Sequence, residues 1–413
     1  MRLSIASVAA AVLAVKGVSA ASSSQGSSTS VAATDGIVPK PVWPHFVSEE
    51  DDCIEMLDED QQIQEIKKLT ELTKQTLDRL HPRDMKVPRS EESSKWDGSL
   101  TKRGLMSSIP GYWADPNIVT FPDDCNYYIY ATTDGGYPWS SMELYAWMST
   151  DLVYWTRTKK PILYLNGDEG NVPWARGKAW APTIIKANGK FYFYFSGGNI
   201  ANGEKEAMGV AVGPSPLGPF KAQPEPFITG QERVSSLGTP IDPQVYHDPQ
   251  SGVNYIYWGN GSPVMAEMNA DMLSVNWDTA TAPSGLTYYA EAPFVNFRDG
   301  IYHMTYSIGH TASEDYRVGY ATSTSPTGPW TYHGLILQKD VSKDILGPGH
   351  DSIINTPGTD NWFIAYHRFR KANENGSRRE IIIDQVFFKD GLIQPIVPTI
   401  AGVKPSPITG CGL

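Results

Sequence analysis

Three acidic side chains stand near the start of short segments that are each centred on a proline. They are Asp115, Asp242 and Glu291. One carboxyl group can protonate a leaving group as a general acid, while a second, ionised one activates a water molecule as a general base. A third carboxylate nearby raises the pKa of the acid by like-charge repulsion and keeps it protonated near neutral pH. A single Asp-Pro usually marks a turn, so the interpretation depends on whether the fold brings the three segments together.

These proline-centred segments open five units of one repeated pattern. The five openings are Ala114-Asp-Pro-Asn-Ile118, Trp180-Ala-Pro-Thr-Ile184, Ile241-Asp-Pro-Gln-Val245, Glu291-Ala-Pro-Phe-Val295 and Gly349-His-Asp-Ser-Ile353. They recur at intervals of 50 to 66 residues when Pro116, Pro182, Pro243, Pro293 and Asp351 are taken as equivalent. The regular spacing indicates one structural unit per repeat.

Each opening is followed by a β-branched and aromatic run of strand length, such as Phe191-Tyr-Phe-Tyr-Phe195. Repeated units of several strands at this spacing are typical of propeller blades. The sequence therefore predicts an all-β, five-bladed β-propeller over residues 106–413. A two-sheet sandwich would explain the strand runs but not the recurring openings.

The start of the innermost strand of each blade lies near the central axis of a propeller. Asp115, Asp242 and Glu291 are expected to meet there, and His350 occupies the same position in the fifth opening. Hydrolysis of a glycosidic bond needs a protonated carboxyl group at the leaving oxygen and an ionised one behind a water. The three converging carboxyl groups match that requirement.

The sequence resembles glycoside hydrolase family 43 over about residues 109–400. The resemblance is carried by the first four openings and by Gly347-Pro-Gly-His350. It implies a five-bladed propeller and an inverting mechanism, with Asp115 as general base, Glu291 as general acid, and Asp242 as the residue that tunes and orients the acid. The family usually has Glu-Gly-Pro at the acid, whereas this chain has Glu-Ala-Pro. Ala292 fits that position unless the backbone there needs a positive φ.

Several further residues are candidates for the site. Trp180 is a candidate sugar platform, and Trp113 and Trp139 are weaker ones; core packing is the alternative for all three. Arg368 is a candidate for binding sugar hydroxyls in the last blade, or is a structural arginine. The resemblance to arabinanases implies a structural calcium ion near His350, and because calcium prefers oxygen ligands we expect contact through water. The alternative for His350 is a hydrogen-bonded core histidine. We expect that the reaction requires no cofactor.

The first 105 residues differ in composition from the rest, since every tyrosine lies after residue 105. Residues 1–20 are expected to form a signal peptide, with Arg2 before an apolar stretch and Val18-Ser-Ala20 as cleavage site. Residues 21–105 contain a Ser-rich stretch, expected to be a linker, and then an acidic stretch. The spacing of apolar residues predicts a short amphipathic helix over about residues 54–80. The dibasic Lys102-Arg103 makes this extension a candidate propeptide.

Charge and cysteine content limit the partners and the compartment. A net charge of −11 argues against nucleic-acid binding, and no later stretch is apolar enough to cross a membrane. Three cysteines, Cys53, Cys125 and Cys411, allow one disulfide and one free thiol in a secreted protein.

The expected function is that of a secreted, monomeric enzyme acting on arabinan, arabinoxylan or xylo-oligosaccharides. Exo-acting arabinofuranosidase or xylosidase activity is favoured, because the long insert over residues 133–142 and the stretch over residues 164–178 are expected to wall one end of the cleft. An endo-arabinanase and a non-catalytic sugar-binding propeller are the alternatives.

Overall fold

The computed structural model describes residues 109–409, except residues 122–123, 137–138, 199–205, 231–237 and 372–375. The expected signal peptide, linker, helix and dibasic site lie outside the described residues, and so do Cys53 and Cys411. Cys125 is disulfide-bonded, in line with the single disulfide expected.

The described chain forms five antiparallel blade sheets in sequence order, and a separate two-stranded sheet follows the last of them. Blade 1 contains β1 (Trp113–Thr120), β2 (Tyr127–Thr133), β3 (Glu143–Ser149) and β4 (Thr156–Arg157), with β5 (Leu163–Tyr164) also paired to β3. Blade 2 contains β6 (Trp180–Ala187), β7 (Lys190–Gly197), β8 (Ala207–Gly213) and β9 (Lys221–Ala222). Blade 3 contains β10 (Gln244–His247), β11 (Asn254–Trp258), β12 (Val264–Met268) and β13 (Val275–Thr281).

The last two blades follow the same meander. Blade 4 contains β14 (Glu291–Arg298), β15 (Ile301–Ile308), β16 (Arg317–Ser323) and β17 (Thr331–Leu337). Blade 5 contains β18 (Gly349–Asn355), β19 (Trp362–Phe369) and β20 (Arg379–Val386), and a short hairpin of β21 (Phe388–Lys389) and β22 (Leu392–Ile393) follows it. Helical structure in the described chain is confined to 3₁₀ turns at Gly167–Glu169 and Val341–Lys343, and no described helix is long and apolar enough to cross a membrane. The predicted five-bladed β-propeller is confirmed.

Five hydrophobic clusters fill the spaces between neighbouring blades, because each sheet carries apolar side chains on both faces. One of them closes the ring by packing Ile118 and Ile129 of blade 1 against Ile354 and Phe363 of blade 5. Polar contacts seal the same junction, where the Ser352 hydroxyl accepts from the backbone N–H of Ile118 at 2.9 Å. A closed ring holds the five openings in fixed positions around one axis.

Each opening has a residue in the left-handed backbone region directly before the repeat proline, or before Asp351 in the fifth opening. These residues are Asp115 (φ 53°), Ala181 (φ 40°), Asp242 (φ 60°), Ala292 (φ 57°) and His350 (φ 48°). In four blades the strand register shifts at this point, which indicates a β-bulge. The bulge turns the opening toward the axis.

The backbone N–H of the left-handed residue is bonded to the second strand of the preceding blade at four of the five junctions. Ala181 donates to the Thr132 hydroxyl at 2.8 Å, Asp242 to that of Ser196 at 3.1 Å, and His350 to that of Ser307 at 2.9 Å. Asp115 donates to Nδ1 of His367 at 3.2 Å, which joins blade 1 to blade 5. The same contact thus fixes the bulge in successive blades.

The expectation that Glu291 occupies the same repeat position as Asp115 and Asp242 was wrong. Ala292, not Glu291, occupies the position equivalent to Asp115 and Asp242, so the Glu291 side chain enters the axis from one residue earlier. Ala292 also has the positive φ that glycine adopts more easily.

Candidate active site

A cavity of about 450 Å³ lies over the openings of the blades. It is lined by Asp115, Trp139, Trp180, Ile241, Asp242, Asn260, Gly261, Tyr289, Ala290, Glu291, Gly309, His310, Thr311, His350 and Arg379. The three carboxyl groups singled out by the sequence therefore face one space, together with His350.

Asp115 is surrounded by nitrogen atoms. Its Oδ1 lies 2.9 Å from Nη1 of Arg379, 3.1 Å from Nδ1 of His367 and 3.3 Å from Nδ1 of His350. Burial alone would raise the pKa of Asp115, but the Arg379 charge beside it outweighs burial and holds the pKa well below its usual value. Burial lowers the pKa of His367 to about 3, so that ring is neutral and the buried Arg379 is the fixed positive charge beside Asp115. Asp115 is ionised throughout the physiological pH range.

Arg379 is a site residue that the sequence did not single out. Its Nε and backbone N donate to Oδ2 of Asp134 at 2.9 and 3.0 Å, and its guanidinium lies 5.5 Å from the centre of the Trp139 ring. Asp134 and Trp139 belong to the connection between β2 and β3, so Arg379 joins this insert to Asp115. Trp139 of the insert over residues 133–142 lines the cavity, whereas no described residue of the stretch over residues 164–178 does.

Arg368, the arginine expected to bind sugar, is placed elsewhere. It is buried, its guanidinium pairs with Glu380 at 2.9 Å, and its Nη1 donates to the Thr399 carbonyl oxygen at 2.6 Å. Successive side chains of a strand point to opposite faces, and the neighbouring His367 is the one that faces Asp115. The arginine of the last blade that reaches the cavity is Arg379.

Asp242 and Glu291 form a close pair of acids. Their carboxylate oxygens lie within 4.8 Å of each other. Burial raises the pKa of Asp242 well above its usual value, the charges of Glu291 and Asp115 add to this, and Arg379 and the backbone N–H of Ala292 oppose it. Glu291 accepts from the Tyr316 hydroxyl at 2.6 Å and from Nδ2 of Asn260 at 2.5 Å. Protonated and ionised carboxyl groups can thus coexist in one cavity, as hydrolysis with acid and base catalysis requires.

The three tryptophans differ in position. Trp180 is half-buried at the start of β6 and lines the cavity, with Nζ of Lys178 5.9 Å from its ring centre. Trp139 also lines the cavity and is 39% exposed. Trp113 is only 4% exposed, packs edge-on against Tyr145 and Trp147, and donates from Nε1 to the Pro110 carbonyl oxygen. The expected sugar-binding role of Trp113 is wrong, because its ring belongs to the core.

The sequence over residues 108–393 matches the family model described as glycosyl hydrolases family 43. The chain belongs to this family. Family 43 membership makes it a glycoside hydrolase, and inversion of configuration at the anomeric carbon is general to the family. This agrees with the cavity, in which ionised Asp115 and the Asp242–Glu291 pair face the same space.

Curated family 43 relatives differ in how much of their length the chain spans. It is 32% identical over 325 residues to "Beta-D-galactofuranosidase xynD" of Aspergillus niger, covering 74% of this chain and 88% of that protein. It is 31% identical to an "Arabinoxylan arabinofuranohydrolase" of Bacillus subtilis, covering 62% of this chain and 55% of that protein. The chain therefore spans only about half of the second relative.

The fold is shared with solved structures of the family. A thermostable family-43 glycoside hydrolase superposes with a TM-score of 0.61 at 28% identity, covering 73% of this chain and 98% of that one. A family 43 β-xylosidase/α-arabinofuranosidase from a compost metagenome, in complex with xylotriose and described as a calcium-free form, gives a TM-score of 0.59 at 25% identity.

The cavity also offers a set of donors that could hold a cation. Ligand atoms of Asp242, Glu291 and His350 lie within 4.8 Å of one another. Calcium takes six to eight oxygen ligands, which two carboxyl groups and one imidazole do not supply, and both oxygens of Glu291 already accept hydrogen bonds. These residues fit a hydrated ion that contacts His350 through water better than an ion bound directly.

Proposed function

We propose that this family 43 enzyme is a secreted, monomeric, exo-acting glycosidase that removes arabinofuranosyl or xylosyl units from plant cell-wall polysaccharide. The observation that carries the proposal is the convergence of Asp115, Asp242 and Glu291 in one cavity bounded by Trp139 and Trp180. The aromatic walls provide apolar faces for a sugar ring, and the Trp139 insert supports a pocket closed at one end.

In the proposed mechanism Asp115 is the general base and Glu291 the general acid. Ionised Asp115 takes a proton from the water that attacks the anomeric carbon, and Glu291 gives its proton to the leaving oxygen. Asp242 tunes the acid and holds it in place from the adjacent blade, and Arg379 keeps Asp115 ionised. A non-catalytic sugar-binding propeller is disfavoured, because such a protein has no need to bury three carboxyl groups together.

The names of the relatives support two kinds of furanoside as substrate. One relative is an arabinoxylan arabinofuranohydrolase and another a β-D-galactofuranosidase, so terminal β-D-galactofuranose is a further candidate beside arabinofuranosyl and xylosyl units. An "Extracellular endo-alpha-(1->5)-L-arabinanase" of Thermotoga petrophila is 23% identical, which keeps endo action as the alternative mode.

The test is a panel of substrates given to the purified protein. Aryl α-L-arabinofuranoside, β-D-xyloside and β-D-galactofuranoside are assayed beside debranched arabinan and arabinoxylan. Release of monosaccharide with little loss of polymer viscosity is expected. A rapid fall in arabinan viscosity would show endo action, and no hydrolysis in any assay would overturn the proposal.

The first-formed sugar is expected to have the opposite anomeric configuration to the bond that is cleaved. Asp115 and Glu291 come from blades 1 and 4, which leaves room for a water between base and sugar. Inverting enzymes separate these groups by ~6.5–9.5 Å, whereas direct attack needs ~5–5.5 Å. Proton NMR in the first minutes of the reaction, before mutarotation, decides this. Retention, or a sugar ester trapped on Asp115, would contradict the assigned roles.

A hydrated calcium ion near His350 is expected to stabilise the fold without taking part in the chemistry. After treatment with EDTA, saturating calcium should raise Tm by roughly 5 °C, while kcat changes less than about threefold. His350→Ala should remove the increase in Tm. An unchanged Tm in the wild-type protein would mean that His350 binds no calcium.

The segment before residue 104 is expected to be dispensable for catalysis, because all five described blades and every described residue that lines the cavity come after it. A chain that starts at Gly104 should fold and hydrolyse the same substrate with kcat within about twofold of the full chain. Circular dichroism melting and kinetics on both chains provide the comparison. An insoluble or inactive product would make the N-terminal segment an integral part of the enzyme.

A further inference from the structure

The two oxygens of Glu291 are held by donors on opposite sides. Oε1 accepts from the Tyr316 hydroxyl at 2.6 Å, and Oε2 accepts from the Asn260 side chain. Tyr316 is fully buried, whereas Asn260 lines the cavity. Oε1 therefore points into the protein and Oε2 lies beside a residue of the cavity wall.

The hydrogen of the Tyr316 hydroxyl is directed to Oε1 of Glu291, to which it donates at 2.6 Å. A phenolic hydroxyl carries one hydrogen, so this bond uses the whole donor capacity of Tyr316.

We propose that Tyr316 is a positioning residue that keeps Oε1 of Glu291 as an acceptor, so that the transferable proton is carried by Oε2. This inference rests on the proposed role of Glu291 as the general acid. A proton on Oε1 would face the donated Tyr316 hydrogen, whereas a proton on Oε2 lies at the cavity. The Asn260 amide can present its oxygen to protonated Oε2 and its NH₂ group to the ionised form by turning over, because the two ends have nearly the same shape.

The Tyr316 ring is held in position by packing contacts with His367 and Gly349. It stacks on His367, with ring centres 5.5 Å apart and planes 4° from parallel. Gly349 lies against the same ring, and a Cβ on Gly349 would collide with the ring carbons of Tyr316. Tyr316 thus connects the surroundings of Glu291 with the histidine that contacts Asp115, and it cannot move away from Oε1 without disturbing both.

The test is Tyr316→Phe, which removes the hydroxyl and keeps the stacked ring. It is assayed on aryl glycosides of the preferred sugar, whose phenols range from high to low pKa. A leaving group of high pKa needs the proton of the acid, whereas a phenol of low pKa leaves without it. We expect kcat/KM to fall about 10- to 100-fold for the poor leaving groups and to stay within about threefold for the best.

Two other variants separate the possible causes. Tyr257→Phe removes a buried hydroxyl that donates to the Pro326 carbonyl oxygen, also at 2.6 Å, and should leave the dependence on leaving group unchanged. Glu291→Gln should show a steeper dependence than Tyr316→Phe. If Glu291→Gln shows none, the assignment of the acid itself fails. If it does, but Tyr316→Phe loses the same factor on every substrate or loses nothing, the positioning role of Tyr316 is wrong.

Discussion

Glu291→Gln and Asp115→Asn are each expected to lower kcat on polysaccharide by several orders of magnitude. General acid or base catalysis alone is worth ~10²–10⁴, and loss of the group that activates water should cost at least as much. Thermal unfolding should change little, because both replacements keep the shape of the side chain. Arg379 also retains its second carboxylate, Asp134, when Asp115 loses its charge.

The two variants should differ in their response to the leaving group. An activated aryl glycoside should restore much of the activity of Glu291→Gln, because its phenolate leaves without a proton. The same substrate should not rescue Asp115→Asn, because the attacking water still lacks a base. Steady-state kinetics with circular dichroism melting curves test both points. A folded variant that keeps more than a tenth of wild-type kcat on polysaccharide would remove that residue from the assigned role.

The propeller could be predicted from the sequence because its signal is local and repeated. The prolines of the openings mark equivalent positions, and the structure confirms that the preceding residues share one left-handed conformation. The offset of Glu291 is visible in the sequence, since Glu291 stands two residues before its proline and Asp115 one, but spacing alone does not show that the bulge still brings its side chain into the cavity. The backbone at Ala292, where the family usually has glycine, does need a positive φ, since φ there is 57°.

The surroundings of the carboxyl groups were mostly missed, because they come from positions outside the repeated motif. Tyr316 lies in the connection between β15 and β16, Asn260 follows β11, and Arg379 begins β20. Arg368 could not be excluded from the sequence either, because alternation turns its side chain away from Asp115 only once His367 is known to face that carboxylate. Motif spacing predicts which acids meet but not which donors surround each of them.

Asp242 is an acid of the site whose pKa is raised by its surroundings. It is 7% exposed, and burial, followed by the charges of Glu291 and Asp115, raises its pKa. Because Asp242 and Glu291 lie within 4.8 Å, their titrations belong to the pair. Burial and the neighbouring Glu291 charge thus keep a proton on Asp242 to elevated pH.

Asp242→Asn is therefore expected to move the alkaline limb of the kcat/KM profile to lower pH, by about one to two units. A neutral amide at position 242 removes the like charge that opposes loss of the catalytic proton, so less of the enzyme holds the proton needed by the leaving group. Activity on the alkaline side should fall by about 10- to 100-fold, in proportion to the shift. Asp360→Asn is the matched control, since Asp360 pairs with Arg298 and lies outside the cavity, and its profile should match that of the wild type. A folded Asp242→Asn enzyme whose alkaline limb stays in place would show that Asp242 orients the site but does not set its protonation.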